Sequence, residues 1–227
     1  MTATMLHHMN HQGEVEARVS ALRRFMAHCP VLLGLMLLIS NACAQEITFQ
    51  LDPAQSRVQF TLGATFHDVH GTFQLKGGTI QFNPASGAAS GSLIVDATSG
   101  QTGNERRDQR MHRQILEDQK YPEIVFVPQH VSGKLAPQGT SQMELRGLLR
   151  LHGEQHPMTL TMAAQVNQAQ ASGEVHFILP YMKWGLKNPS TFILRVSDKV
   201  SIDVHAAGRL SSVGGAHGPS GTQGNSD

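Results

Sequence analysis

From residue 46 onward, apolar side chains recur at every second position. "ITFQL" sets Ile47, Phe49 and Leu51 on one face, and "VQFTL" does the same with Val58, Phe60 and Leu62. "VHGTFQL" aligns Val69, Phe73 and Leu75 and leaves His70, Thr72 and Gln74 opposite. "TIQF" adds Ile80 and Phe82, and "SLIVDA" adds Leu93, Val95 and Ala97. Alternation sustained this long predicts half-buried antiparallel strands. The pattern returns in "EIVFVPQHVSGKL" and then in "MELRGLLRLHG", where a shift is expected at Gly147 between Met143/Leu145 and Leu149/Leu151. "PMTLTMAAQV", "SGEVHFIL" and "KVSIDVHA" supply further runs, with Leu160 and Met162, Phe177, and Ile202 facing inward. Turn chemistry separates the runs at "LDPAQS", "KGG" and "NPASGAASG".

One segment breaks the alternation. "GNERRDQRMHRQILED" is polar, rich in helix formers, and opens on Asn104, a good N-cap. It predicts a short helix over 105–117, with Met111 and Ile115 on one face. Those two residues are the candidate lid over a barrel mouth, or a plug at one end, and the charged positions form a solvated face. A longer irregular connection, "PYMKWGLKNPSTFILRVSD", precedes the last strand. Residues 211–227 are Gly/Ser-rich with few apolar positions and read as a disordered tail. The chain is therefore all-β, an antiparallel β-barrel of about eight strands over 45–210 with one short inserted α-helix. Closure removes exposed edges, and a barrel of this size is either filled by its side chains or holds one small ligand.

The first 44 residues do not belong to that pattern. Arg23 and Arg24 precede the apolar run "VLLGLMLLIS", and Ala42 and Ala44 occupy the small positions of a signal-peptidase site. This is the layout of a secretory signal, and the run is short for a membrane span. We expect cleavage after Ala44, export to the periplasm or outside the cell, and no stable membrane span afterwards. Both cysteines, Cys29 and Cys43, would leave with the signal, so the exported domain would rely on its core and not on disulfides. Cleavage would also remove Arg18, Arg23 and Arg24 against Glu14 and Glu16, which levels the two signs of charge. A balanced chain with no basic cluster is not expected to bind nucleic acid. Charged residues make up 15% of the full sequence, below the usual quarter, which suits an apolar interior.

Candidate chemistry is sparse. His67 and His70 in "FHDVHGTF", and His152 and His156 in "LHGEQHP", invite a metal reading. Ligands sharing a strand face come at even spacing, and no third ligand clusters with either pair, so no metal site is expected. Asp108, His112 and Glu117 on or near the helix could assemble an acid and a base. No nucleophile motif accompanies them, and no catalysis or cofactor is expected.

Five stretches taken together resemble the YceI-like lipid-binding family: "FQLDPAQSRVQFTLG", "HGTFQLKGGTIQF", "GNERRDQRMHRQILEDQKYPEIVFVPQHVSG", "LRGLLRLHGEQHPMTL" and "VSDKVSIDVHA". They occur in order from about residue 47 to 210. The resemblance implies an extended, lipocalin-like barrel that binds an isoprenoid or other long-chain amphiphile in its interior. Many members are periplasmic or secreted. Here "HDVHGTF" replaces a longer stretch, so the shape of the mouth is not carried over. The inward residues expected to line such a cavity are Phe60, Leu62, Phe73, Phe82, Phe126, Leu145, Leu160, Met162 and Phe177. Each buried CH₂ contributes about 0.8 kcal/mol, so three isoprene units offer on the order of 10 kcal/mol gross before ordering costs. The alternative is a secreted barrel with a filled core that binds metal or serves a stress response. An edge or outer face leaves room for a homodimer.

Overall fold

The computed structural model describes residues 46–213. The expected signal and the chain beyond Val213 lie outside the described residues. The strands are β1 (Glu46–Leu51), β2 (Arg57–Leu62), β3 (Val69–Phe82), β4 (Ala89–Gln101), β5 (Glu123–Ser132), β6 (Gly139–Leu151), β7 (Glu154–Asn167), β8 (Gln170–Leu179) and β9 (Val200–Val213). Strand β9 runs three residues into the stretch read above as tail. All pairings between strands are antiparallel, and β3 to β8 each pair with the next.

Closure comes through the first stave. Strands β1 and β2 lie end to end, and both pair with β3 on one side and β9 on the other. Nine strands therefore make a closed barrel of eight staves. The break between β1 and β2 is a 3-10 turn at Pro53–Gln55, capped by the Asp52 carboxylate, which accepts from Ala54 N at 3.0 Å. Ser56 Oγ donates to Asp52 O at 2.7 Å and accepts from Ala207 N at 2.9 Å, which ties the jog to β9.

Two local expectations are corrected. "KGG" is not a turn. Gly77 and Gly78 lie inside β3 at φ values of 149° and 146°, where the register against β4 slips by one residue between Leu75 and Gly77. An L side chain rarely adopts that backbone, and a Cβ on Gly78 would fall 2.2 Å from Ser92 O, so glycine permits a bulge that lets one long strand carry both apolar runs. Nor is there a shift at Gly147. Ser141, Met143, Leu145, Gly147, Leu149 and Leu151 are all buried on one face, and β6 pairs with β7 without interruption. The irregularity lies across the ladder in β5, between Pro128 and His130. Pro128 has no N–H to donate, which confines it to such a site.

The helix forms as α1 (Glu105–Arg110), capped by Asn104 Oδ1 accepting from Arg107 N at 3.1 Å. It does not continue as an α-helix to residue 117. Met111–Leu116 form a π-helical turn that ends at Glu117 in the left-handed region, φ 49°. The helix lies between β4 and β5. The β2–β3 connection, the β6–β7 turn and the long 180–199 connection are at the same end of the barrel, here called the helix end. The terminal end holds Glu46, Val213 and three shorter connections.

Candidate ligand cavity

The barrel interior is not solid. A cavity of about 220 Å³ runs inside it. Of its thirty lining residues Ser172 alone carries a hydroxyl, and none carries a charge. A water needs roughly 10–15 Å³ of such space and two to four polar partners. The volume would admit several waters, but one hydroxyl cannot bind them, so the space suits apolar matter.

Its origin is a band of small residues. Ala164 on β7 pairs with Gly173 on β8, which pairs with Ala206 on β9. All three line the cavity; the next row towards the helix end is Met162, Val175 and Val204, and the next towards the terminal end, Val166, Ala171 and Gly208, is small on two of its strands. Met162 covers part of this band, since a Cβ on Gly173 would meet its sulfur at 2.6 Å. Larger side chains stand on the other staves, among them Phe82 on β3 and Phe126 on β5.

Seven of the nine residues named from the sequence are in the wall: Phe73, Phe82, Phe126, Leu145, Leu160, Met162 and Phe177. Phe60 and Leu62 are not. Phe60 is buried, with its ring over Gly71 and 5.4 Å from the ring of Phe73, so it backs the wall without facing the space. Leu62 packs into the core at the helix end. The wall also includes Phe49, Leu93 and Ile202, which the alternation placed on inward faces without singling them out. The small residues Ala171, Gly173 and Ala206 were missed because alternation marks a face and not how far a side chain reaches across it.

Neither Met111 nor Ile115 lines the cavity. Met111 meets the wall without lining the space: a Cβ on Gly100 would fall 2.8 Å from its terminal methyl and 2.5 Å from the Phe73 ring, so the two side chains share one side of Gly100. Ile115 and Leu116 pack with Tyr181, Trp184 and Leu186 against the core. This group stops the helix end. Tyr181 is buried, its hydroxyl donates to Ser197 O at 2.6 Å, and burial raises its pKa above the ordinary phenol value. The lining runs most of the length of the barrel, from Phe82, Val166, Ala171 and Leu210 near the terminal end to Ile124, Leu179 and Ile202 near the helix end.

The polar candidates are engaged elsewhere. Asp108 accepts from Thr102 N at 2.9 Å and from the Thr102 hydroxyl. His112 places Nε2 2.8 Å from Gly100 O and Nδ1 2.6 Å from Asp118 Oδ2. Glu117 accepts from Lys187 Nζ at 3.1 Å and lies 3.5 Å from His152 Nε2. That lysine hydrogen bond is the main reason its pKa falls below the ordinary glutamate value. His67 and His70 are exposed in and beside the β2–β3 connection, and His70 Nδ1 lies 3.0 Å from Thr61 Oγ1. His152 is the first residue of a two-residue turn with Gly153, at φ values of 53° and 85°, as a type I′ hairpin requires. His156 stacks flat on Trp184 at 4.1 Å. Among the described residues no group of three or more His, Cys, Asp or Glu is placed to hold a metal ion.

The fold has solved counterparts. A crystal structure of BcnA from Burkholderia cenocepacia superposes with a TM-score of 0.59 at 18% identity, covering 69% of this chain and 98% of that one. A polyisoprenoid binding domain from Saccharophagus degradans, implicated in plant cell wall breakdown, gives 0.57 at 17% identity, with 72% and 98% covered. No curated protein matches the chain. The model of the YceI-like domain matches residues 49–207, nearly the whole barrel, and the chain belongs to that family.

Proposed function

We propose that this barrel binds a long apolar chain, isoprenoid-type or of another amphiphile, and that it does so without catalysis. The observation that carries the reading is the cavity: about 220 Å³ lined by thirty residues with one hydroxyl and no charge. A chain of CH₂ and CH₃ groups loses nothing by entering it and gains about 0.8 kcal/mol for each CH₂ removed from water. A charged head group would find no partner inside, so it stays outside the cavity. The polyisoprenoid binding named for the Saccharophagus degradans domain supports this choice, since the two folds agree. In this reading Phe73, Phe82, Phe126, Leu145, Leu160, Met162 and Phe177 touch the chain, while Phe60 and Leu62 support the wall. Export directed by residues 1–44 would place the barrel in the periplasm or outside the cell.

The test is native mass spectrometry of the purified protein, prepared without detergent, with organic extraction of whatever is bound. A co-purifying lipid of defined mass is the expected result. A clean polypeptide mass, together with no uptake of the long-chain fluorophore cis-parinaric acid, would overturn the reading.

A further inference from the structure

The helix end carries a second feature, independent of what fills the barrel. Gly63–Thr65 and Arg195–Ser197 continue antiparallel past the rim: Ser197 N donates to Gly63 O at 2.8 Å, and Thr65 N to Arg195 O at 3.0 Å. Ala64 bridges Val196 between them. Just beyond, the chain turns at Thr191–Leu194, where Thr191 N donates to Leu194 O at 2.8 Å and Leu194 N to Thr191 Oγ1 at 3.0 Å. Phe192 and Ile193 are the middle residues of that turn, and Phe66 follows Thr65 on the facing segment. Their exposures are 100%, 75% and 71%. Three large apolar side chains held out on a hydrogen-bonded tip mark a surface that something covers.

The charges at the same end of the barrel say what kind of surface covers it. Arg106, Arg110 and Arg113 line one shallow depression on the helix with Gln109 and Gln114. None of the three has an ion-pair partner among the described residues, nor do Lys183 in the 180–199 connection and Arg195 beside the tip. Like charges one helical turn apart repel, and an anionic surface would relieve that. Three carboxylates of this end are engaged, Glu117 with Lys187, Asp118 with His112 and Asp108 with Thr102, so they do not neutralise these arginines, while Asp68, Glu105, Glu154 and Asp198 make no ion pair among the described residues. At the terminal end the connections 83–88, 133–138 and 168–169 carry one charge, Lys134.

We propose that the helix end docks on an anionic phospholipid bilayer, with Phe66, Phe192 and Ile193 entering the interface and the free arginines and lysines meeting lipid phosphates. A narrow apolar tip on a barrel end that also carries unpaired cations fits an interfacial lipid site. It offers a protein partner little of the broad contact that a stable complex buries.

The test is co-sedimentation of the purified protein with vesicles of phosphatidylcholine alone and of phosphatidylcholine mixed with phosphatidylglycerol, at low and high salt. Variants Phe192→Ser/Ile193→Ser and Arg106→Gln/Arg113→Gln are measured in the same chain. These positions are on an exposed tip and a solvent-facing helix, and circular dichroism checks that the barrel is intact. The proposal expects partitioning onto the mixed vesicles that weakens with salt and falls by about tenfold or more in each variant. Partitioning that is equal in wild type and variants, or absent, overturns it. So does concentration-dependent self-association abolished by Phe192→Ser/Ile193→Ser, which would assign the tip to a second copy of the chain.

Discussion

The ring of Phe126 lies beside the bare α-carbon of Gly147 on the neighbouring strand. A methyl group at position 147 would come within 2.9 Å of the ring and 2.4 Å of Val127 O. Phe126 is also part of the cavity wall. Gly147→Ala should therefore destabilise the barrel by about 1–3 kcal/mol in urea unfolding, because ring and backbone must both shift. Adding Phe126→Leu should return part of that loss, a favourable coupling of about 0.5 kcal/mol or more. Strict additivity of the two changes would mean that the ring does not set the constraint.

The Ala164–Gly173–Ala206 band suggests a way to fill the cavity without disturbing the wall. Ala206→Phe places a ring where the space is, so stability should change by less than about 1.5 kcal/mol. Binding of cis-parinaric acid should weaken by about tenfold or more. Undiminished affinity in a folded variant would place the ligand outside the barrel.

Glu117 joins the end of the helix to the 180–199 connection through Lys187 and to the β6–β7 turn through His152. Its pKa is lowered in the folded state, so the ionised form is favoured by folding. The contribution is complete above the ordinary glutamate pKa of about 4.3 and is lost as pH falls through the lowered value. Amide exchange over 111–121 and 180–187, corrected for the intrinsic pH effect, should accelerate in that acidic window. Glu117→Gln should show the faster exchange already at neutral pH and flatten the dependence. An unchanged profile in the variant would remove Glu117 from the tether.

Asn104→Ala removes the acceptor for Arg107 N and should cost about 1 kcal/mol of helix stability. The effect should appear as faster exchange across 105–116 with the strands unaffected. A loss shared equally by the strands would show that the helix and barrel unfold as one unit.

The sequence by itself determined the strands and the faces they present. Alternation depends on the two-residue period of the strand, so inward and outward residues could be read wherever it held, and seven of the named side chains are in the wall. The helix and its cap were legible for the same local reason. What alternation could not give is how residues distant in the chain come together across the barrel. That β1 and β2 make one stave depends on Ser56 meeting Ala207, 151 residues away. That "KGG" is a bulge and not a turn depends on the ladder with β4. The cavity exists because Ala164, Gly173 and Ala206 fall in one row of three strands, a coincidence of register that pairing alone decides. The helix end is stopped by a group gathered from the helix and the 180–199 connection. Local periodicity specifies each strand, but the volume left inside is what remains after all eight staves have packed, and the tertiary structure alone fixes it.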